Sequence, residues 1–199
     1  MSRFLLESIK IENGKIPLLD YHQNRMNYSV YQVFGLKNTI YLDSVFENIV
    51  FQRPAGVFKC RIVYNQKIQK IDISAYQIKP VRSLKIIESD IDYCLKYENR
   101  SEIQALFSQK ESCDDILILK NGYLTDTSYC NVFLFDGHQW WTPNTCLLKG
   151  TQRSYLLANG MVRERSIHIK DLNNYQKIRL CNAMIDWNDK MDLSVLKVE

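Results

Sequence analysis

The hydrophobic pattern begins with two short apolar runs, FLLESIKI at 4–11 and KIPLL at 15–19, on either side of ENGK. Asn13-Gly14 between them is a strong two-residue hairpin signal, because a type I′ turn needs positive φ at both central residues. The pattern therefore predicts a hairpin. From Asp20 the period changes to that of a helix. Met26, Val30, Val33 and Phe34 fall on one side, Asp20 is placed to cap the start, and Gly35 ends it. A further helix is expected over 43–52, capped by Asp43 or Ser44. GVFKCRIVYN and KIQKIDISAYQIK then read as two strands joined by a short turn, the second clearly alternating. Pro80 closes this half, and SLKIIES starts a connecting strand or linker.

The second half predicts a helix over 101–109, a strand over 115–120, a turn at Asn121-Gly122 and a strand over 130–135. DGHQW is a tight turn. A helix from Thr151 to about Ala158 is ended by Asn159-Gly160, and strands are expected near 161–169 and 177–183. Hairpins and helices mix without a regular βαβ alternation. That order implies an α+β protein of two small lobes, 1–85 and 86–199, joined near 80–92.

Composition narrows the class. At 199 residues, with 46% hydrophobic and 24% charged positions, the chain can bury a sizeable core and has the make-up of a soluble globular protein. Its net charge of +4 is dispersed and supplies no basic block for nucleic acid. No apolar run approaches the roughly 18–20 residues of a membrane span, and MSRFLLESIK lacks the apolar core of a signal peptide. A cytoplasmic protein is expected, with no membrane and no nucleic-acid partner. Six cysteines (60, 94, 113, 130, 146 and 181) show no C-x-x-C, and three histidines lie far apart. Reduced, packed thiols and no metal site follow.

Four stretches ask for chemistry. In IDYCLKYENR, Lys96 sits behind an apolar, aromatic-rich run; it reads as a solvated strand-end lysine or as an amine tuned by desolvation for covalent work. In LLKGTQRSYLL, Gly150-Thr151 opens a helix, where unpaired amides, the helix dipole and a hydroxyl together make an anion cup; the plain alternative is a threonine cap after a turn. In NGYLTDTSYCNVFLF, Asp126 and several hydroxyls lie in a short loop ending at Asn131, as ordinary turn-formers or as a carboxylate holding a protonated ring nitrogen. In IRLCNAMIDW, Asn182-Ala183 follows an apolar strand, as a satisfied buried Asn or as a polar turn facing a ligand.

In this order and spacing, the chain resembles the fold-type IV pyridoxal-phosphate (PLP) enzymes, the class IV aminotransferase family. The resemblance runs through LLESIKIENGKIPLLDYHQNRM, LKYENR, GYLTDTSYCNVFLFDGHQWWTPNTCLLKGTQRSYLL and RLCNAMIDW. It is most specific in TP…LLxGTxR and in the H..R pair of YHQNRM. It implies that Lys96 carries the cofactor covalently and shuttles the substrate proton. It places Arg25, Gly150, Thr151, Asn182 and Ala183 around the cofactor phosphate and Asp126 on the pyridine nitrogen. Lys10 and Arg153 are candidate substrate contacts. The family generally forms homodimers, which sets the same expectation here for an enzyme acting on a small molecule.

Three departures accompany the resemblance. Asp126 stands where the family usually has Glu, Lys10 stands where its F-E-T-x-R strand has Arg, and the chain begins almost at that strand, so a shortened N-terminus is expected. Among reactions, the LLxGTxR…RER-I run and the CNAM-DW ending look closest to 4-amino-4-deoxychorismate lyase of folate biosynthesis. A branched-chain or D-amino-acid aminotransferase is the alternative, and a non-catalytic PLP-binding scaffold a further one.

Overall fold

The structure, a computed structural model, describes residues 4–47, 49 and 55–198. It divides into two compact units. The first comprises the N-terminal part to Ile78 together with Leu95–Asn99; the second comprises Lys79–Cys94 and the residues from Arg100 onward.

In the first unit, β1 (Leu5–Glu12), β2 (Val57–Tyr64) and β3 (Ile68–Ala75) form an antiparallel sheet in the order β1-β2-β3. The Asn13-Gly14 turn forms with φ of 48° and 75°. Beyond it the expected hairpin stops at a single bridge, Glu12 to Lys15. Pro17 has no amide proton to continue a ladder, and β1 pairs instead with β2 along its whole length, from Leu5–Tyr64 to Glu12–Val57. Helix α1 (Leu19–Phe34) follows. Leu18, at φ 63°, caps its start, and Asp20 lies in the first turn rather than at the cap. Gly35 ends it as expected, at φ 67°. The helix buries His22, Met26, Ser29 and Val30, one stripe at helical spacing. Against it pack Leu5, Ile9 and Ile11 of β1 and Cys60, Ile62 and Tyr64 of β2. Helix α2 covers Leu42–Phe46; the expected continuation to 52 runs into positions 48 and 50–52, outside the described residues.

The stretch around Lys96 belongs to this first unit, which corrects the expected 1–85 and 86–199 division that placed it in the C-terminal lobe. The reason lies in the backbone. The Leu6 amide donates to Lys96 O at 2.9 Å and the Glu98 amide to Phe4 O at 2.9 Å, so residues 95–99 lie along the free edge of β1. Leu95 and Tyr97 join the core of this unit. Between them the Tyr97 amide donates to Leu95 O at 3.0 Å, a tight turn centred on Lys96.

In the second unit, β4 (Leu84–Glu88) pairs parallel with β5 (Asp115–Lys120), after helix α3 (Ser101–Phe107). Strands β6 (Tyr123–Thr127), β7 (Asn131–Phe135) and β8 (Trp140–Pro143) follow. Helix α4 (Thr151–Ala158) then leads to β9 (Arg163–Arg165), β10 (Lys177–Cys181) and β11 (Asp192–Ser194). The sheet order is β11-β10-β7-β6-β5-β4, with β8 on β7 and β9 on β8. Its core includes Leu117, Leu119, Leu124, Val132, Leu134, Ile178 and Leu180.

The segment expected as a loop around Asp126 is largely strand β6. Thr125, Asp126 and Thr127 are buried and polar, so neither face gives a hydrophobic signal. The expected strand near 161–169 shrinks to three exposed arginine and glutamate positions. Together the units make the α+β architecture of fold-type IV. No disulfide joins any of the six cysteines, and among the described residues no helix is long and apolar enough to cross a membrane.

Candidate active site

Each unit carries a polar cluster at the positions singled out by the sequence. In the first unit, Glu7 projects from β1 into the core and is fully buried. Arg25, six residues into α1 from Leu19, donates through Nε to Glu7 Oε1 at 2.9 Å and through Nη2 to Oε2 at 2.5 Å. His22 lies one turn earlier on the same helix face and places Nδ1 2.6 Å from Glu7 Oε2. Burial alone would raise the Glu7 carboxyl. The Arg25 charge and the hydrogen bond and charge of His22 outweigh it and bring the pKa down to about 2. Burial lowers His22 against the hydrogen bond and charge of Glu7. With Glu7 ionised, Nδ1 carries its proton; Nε2 is buried without a hydrogen-bond partner.

Lys96 is half-buried, and its charge reaches His22. Lys10 lies on the face of β1 opposite Glu7 by alternation. It is 4% exposed, with its ammonium 3.2 Å from Glu12. Sequence reasoning gave Glu7 and His22 no role, although both stand in segments that carry the resemblance. The available signal was the three-residue spacing of His22 and Arg25, which puts them on one helix face.

In the second unit, Asp126 of β6 is 5% exposed and lies across from Asn131 of β7. Asn131 Nδ2 donates to Asp126 Oδ1 at 2.7 Å, and the Leu148 amide donates to Oδ2 at 2.9 Å. Burial pushes the Asp126 carboxyl up to about 6, with those donors and the charge of Arg153 restraining it.

Gly150 caps α4 with φ −65° and no side-chain cap. Its backbone angles suit any residue, so it is glycine for another reason: a Cβ there would lie 2.1 Å from Asn131 Oδ1. Thr151 opens the helix with its Oγ1 buried and without a hydrogen-bond partner. A helix start leaves amides unused by its own ladder, so this hydroxyl stands at a position suited to an anion.

Asn182 spends its side chain on the turn itself. Oδ1 accepts from the Met184 and Ile185 amides at 2.7 and 3.0 Å, and Nδ2 donates to Tyr129 O and Cys130 Sγ, each at 3.2 Å. Ala183 is carried at the bend this makes. Arg153 faces inward, 3% exposed, donating to Pro143 O at 3.0 Å and to Glu164. Its guanidinium ties α4 to β8 and β9. The structure thus groups Arg25 with Glu7 and His22, and Asp126 with Asn131 and the Gly150–Thr151 turn.

A family model described as amino-transferase class IV matches residues 99–188. An uncharacterized protein of Haemophilus influenzae Rd is 40% identical over 183 residues, 90% of this chain and 97% of its own. The crystal structure of a "putative 4-amino-4-deoxychorismate lyase" from Haemophilus somnus 129PT is 36% identical, covers 94% of this chain and 98% of its own, and superposes with a TM-score of 0.87. A hypothetical aminotransferase from Mycobacterium tuberculosis in a PLP-bound form is 15% identical. It covers 99% of this chain and 81% of its own at a TM-score of 0.78, a likeness of fold.

Proposed function

The chain belongs to the amino-transferase class IV family, and from that premise we propose that it is a PLP enzyme, specifically a 4-amino-4-deoxychorismate lyase. The reaction removes pyruvate from the substrate and leaves 4-aminobenzoate. The similarity to the Haemophilus somnus protein across nearly the full length of both chains carries the lyase reading.

The residues present fit the cofactor. Thr151 supplies a buried hydroxyl without a partner at the start of α4, where the helix dipole favours a phosphate. The Ala183 bend, shaped by Asn182, would supply a second phosphate contact. In the first unit Arg25 supplies a cation fixed by Glu7, and Lys96 the amine. When bound, PLP supplies an electron sink for a carbanion beside its carbon–nitrogen bond. The Asp126 carboxylate would hold a proton at the pyridine nitrogen, and Lys96 Nζ would move a proton at the substrate. The assembly is expected to be a cytoplasmic homodimer, which light scattering at micromolar concentration tests.

The test of function is an absorption spectrum of the purified protein with PLP, before and after borohydride, beside the Lys96→Ala variant. Borohydride is expected to fix PLP covalently to Lys96 in the wild type and not in the variant. Turnover of aminodeoxychorismate to 4-aminobenzoate, without transfer between amino-acid and keto-acid pairs, then establishes the lyase. The opposite pattern establishes an aminotransferase. No covalent capture in either protein removes the cofactor reading.

A further inference from the structure

We propose that Asn131 is a positioning residue that locks the Asp126 carboxylate to the loop delivering Gly150 and Thr151, so that the ring-facing and phosphate-facing parts of the second unit's site are held as one piece. The inference rests on the cofactor reading above for what the piece binds, but the lock itself is a property of this chain.

Asn131 is 6% exposed at the start of β7, directly across from Asp126. Its single amide nitrogen serves two acceptors, Asp126 Oδ1 at 2.7 Å and Leu148 O at 2.9 Å. The Leu148 amide returns a bond of 2.9 Å to Asp126 Oδ2. Carboxylate, carboxamide and the Leu148 backbone therefore close a ring, and Leu148 lies in the loop two residues before Gly150. On its other side, Asn131 Oδ1 occupies the space that a side chain at position 150 would need, 2.1 Å from where its Cβ would stand.

A glycine before a threonine at a helix start suggests close approach of backbone to an anion. Here its neighbour is instead the Asn131 carboxamide. The ring is neutral apart from Asp126. Among the groups acting on that carboxylate or acted on by it, Arg153 of α4 is the cation, itself bound to Glu164, and Cys130 and Cys146 are thiols whose ionisation Asp126 opposes. A carboxylate accepts up to about four hydrogen bonds, so the ring orients Asp126 without saturating it. Loss of the Asn131 donor leaves a buried carboxylate with less to hold its charge, and its titration moves to higher pH.

The experiment compares wild type with Asn131→Ala, Gly150→Ala and the double variant. Its first readout is the 13C titration of the Asp126 carboxyl in cofactor-free protein, and its second is the dissociation constant of PLP by absorbance. Each single variant is expected to raise the titration midpoint by about one pH unit and to weaken PLP on the order of tenfold. The double variant should match Asn131→Ala alone, because a methyl at 150 acts only by displacing Asn131.

A full second loss in the double variant, or an unmoved midpoint in Asn131→Ala, overturns the proposal. A wild type that titrates as described but binds no PLP overturns the cofactor reading and leaves the lock standing. Should the variants fail to fold, wild-type hydrogen exchange decides: protection of the Leu148 amide should fall as pH drops through the Asp126 midpoint, and protection that stays flat refutes the lock.

Discussion

Two buried carboxylates, one in each unit, meet opposite electrostatic fates. Glu7 and Asp126 both lose water, and burial alone would raise both. Glu7 has a guanidinium on two of its contacts and an imidazole on a third, and ends at about 2. Asp126 has a carboxamide and a peptide amide, with Arg153 acting only as a charge committed to Pro143 and Glu164, and ends at about 6. Hydrogen bonds orient a buried carboxylate; a cation in direct contact keeps it charged. The first arrangement suits a fixed anchor for Arg25. The second suits a group whose charge is meant to respond to what binds it.

Glu7→Gln should show the largest effect. It removes the charge of the fully buried partner in the pair with Arg25, and breaking such a pair from one side costs about 3–5 kcal/mol. Thermal melts of the cofactor-free protein should show a marked fall, and PLP should bind more weakly because Arg25 loses its orientation. If Glu7→Gln melts with wild type, Arg25 does not depend on Glu7, and the contrast between the two carboxylates fails on that side.

Asp126→Asn should cost far less in stability and far more in chemistry. Ionising Asp126 in the fold is unfavourable by about 3 kcal/mol, and asparagine removes that cost while forfeiting one accepted hydrogen bond. The melting temperature at pH 8 should therefore change little, while turnover falls by more than PLP affinity, since a neutral amide cannot hold a proton at the pyridine nitrogen. Equal loss in turnover and affinity would reduce Asp126 to a loop anchor.

The pH dependence separates the two by sign. Asp126 has a folded pKa raised from 3.8 to about 6, so the native state binds the extra proton. Its contribution should make the cofactor-free protein more stable as pH falls from about 6 towards 4. Glu7 has a folded pKa lowered from 4.5 to about 2, so its stabilisation is complete above 4.5 and is lost as pH falls towards 2. Denaturant melts across this range should show the first limb disappear in Asp126→Asn and the second in Glu7→Gln. One limb that survives in both variants would assign it to other groups.

What the sequence made legible follows the same physics. Helix α4 and strand β5 were readable from local signals: Gly150-Thr151 and Asn159-Gly160 bracket the helix, and the apolar run DILILK stops at Asn121-Gly122. Strand β6 was not, because its buried Thr125, Asp126 and Thr127 look like turn residues until the neighbouring strands satisfy them. Among site positions, Lys96, Asp126 and Thr151 stood out as reactive types in suggestive places. Glu7 did not, since a glutamate in LLESIK between apolar residues gives no hint of Arg25 eighteen positions away. Arg153 showed the converse: its place in LLxGTxR suggested a substrate contact, while its partners are Pro143 and Glu164 of its own unit. Side-chain pairing across elements is a tertiary fact, and residue type alone does not encode it.

The smallest effect completes the comparison by supplying its missing corner, a carboxylate with a cation and with only partial burial. Glu98 lies 3.1 Å from Arg61, with side chains 37% and 31% exposed. Its backbone amide still holds Phe4 O beside Lys96 whatever the side chain, so Glu98→Gln tests the charge alone. Exposed pairs of this kind contribute about 0–1 kcal/mol, less as salt rises, and the variant should melt within that range of wild type with no change in covalent capture at Lys96. A loss as large as that of Glu7→Gln would mean that a cation sets the worth of a carboxylate wherever it lies. A small loss assigns the difference between Glu7 and Glu98 to desolvation, which turns the same pairing from a surface contact into the anchor of the first unit's site.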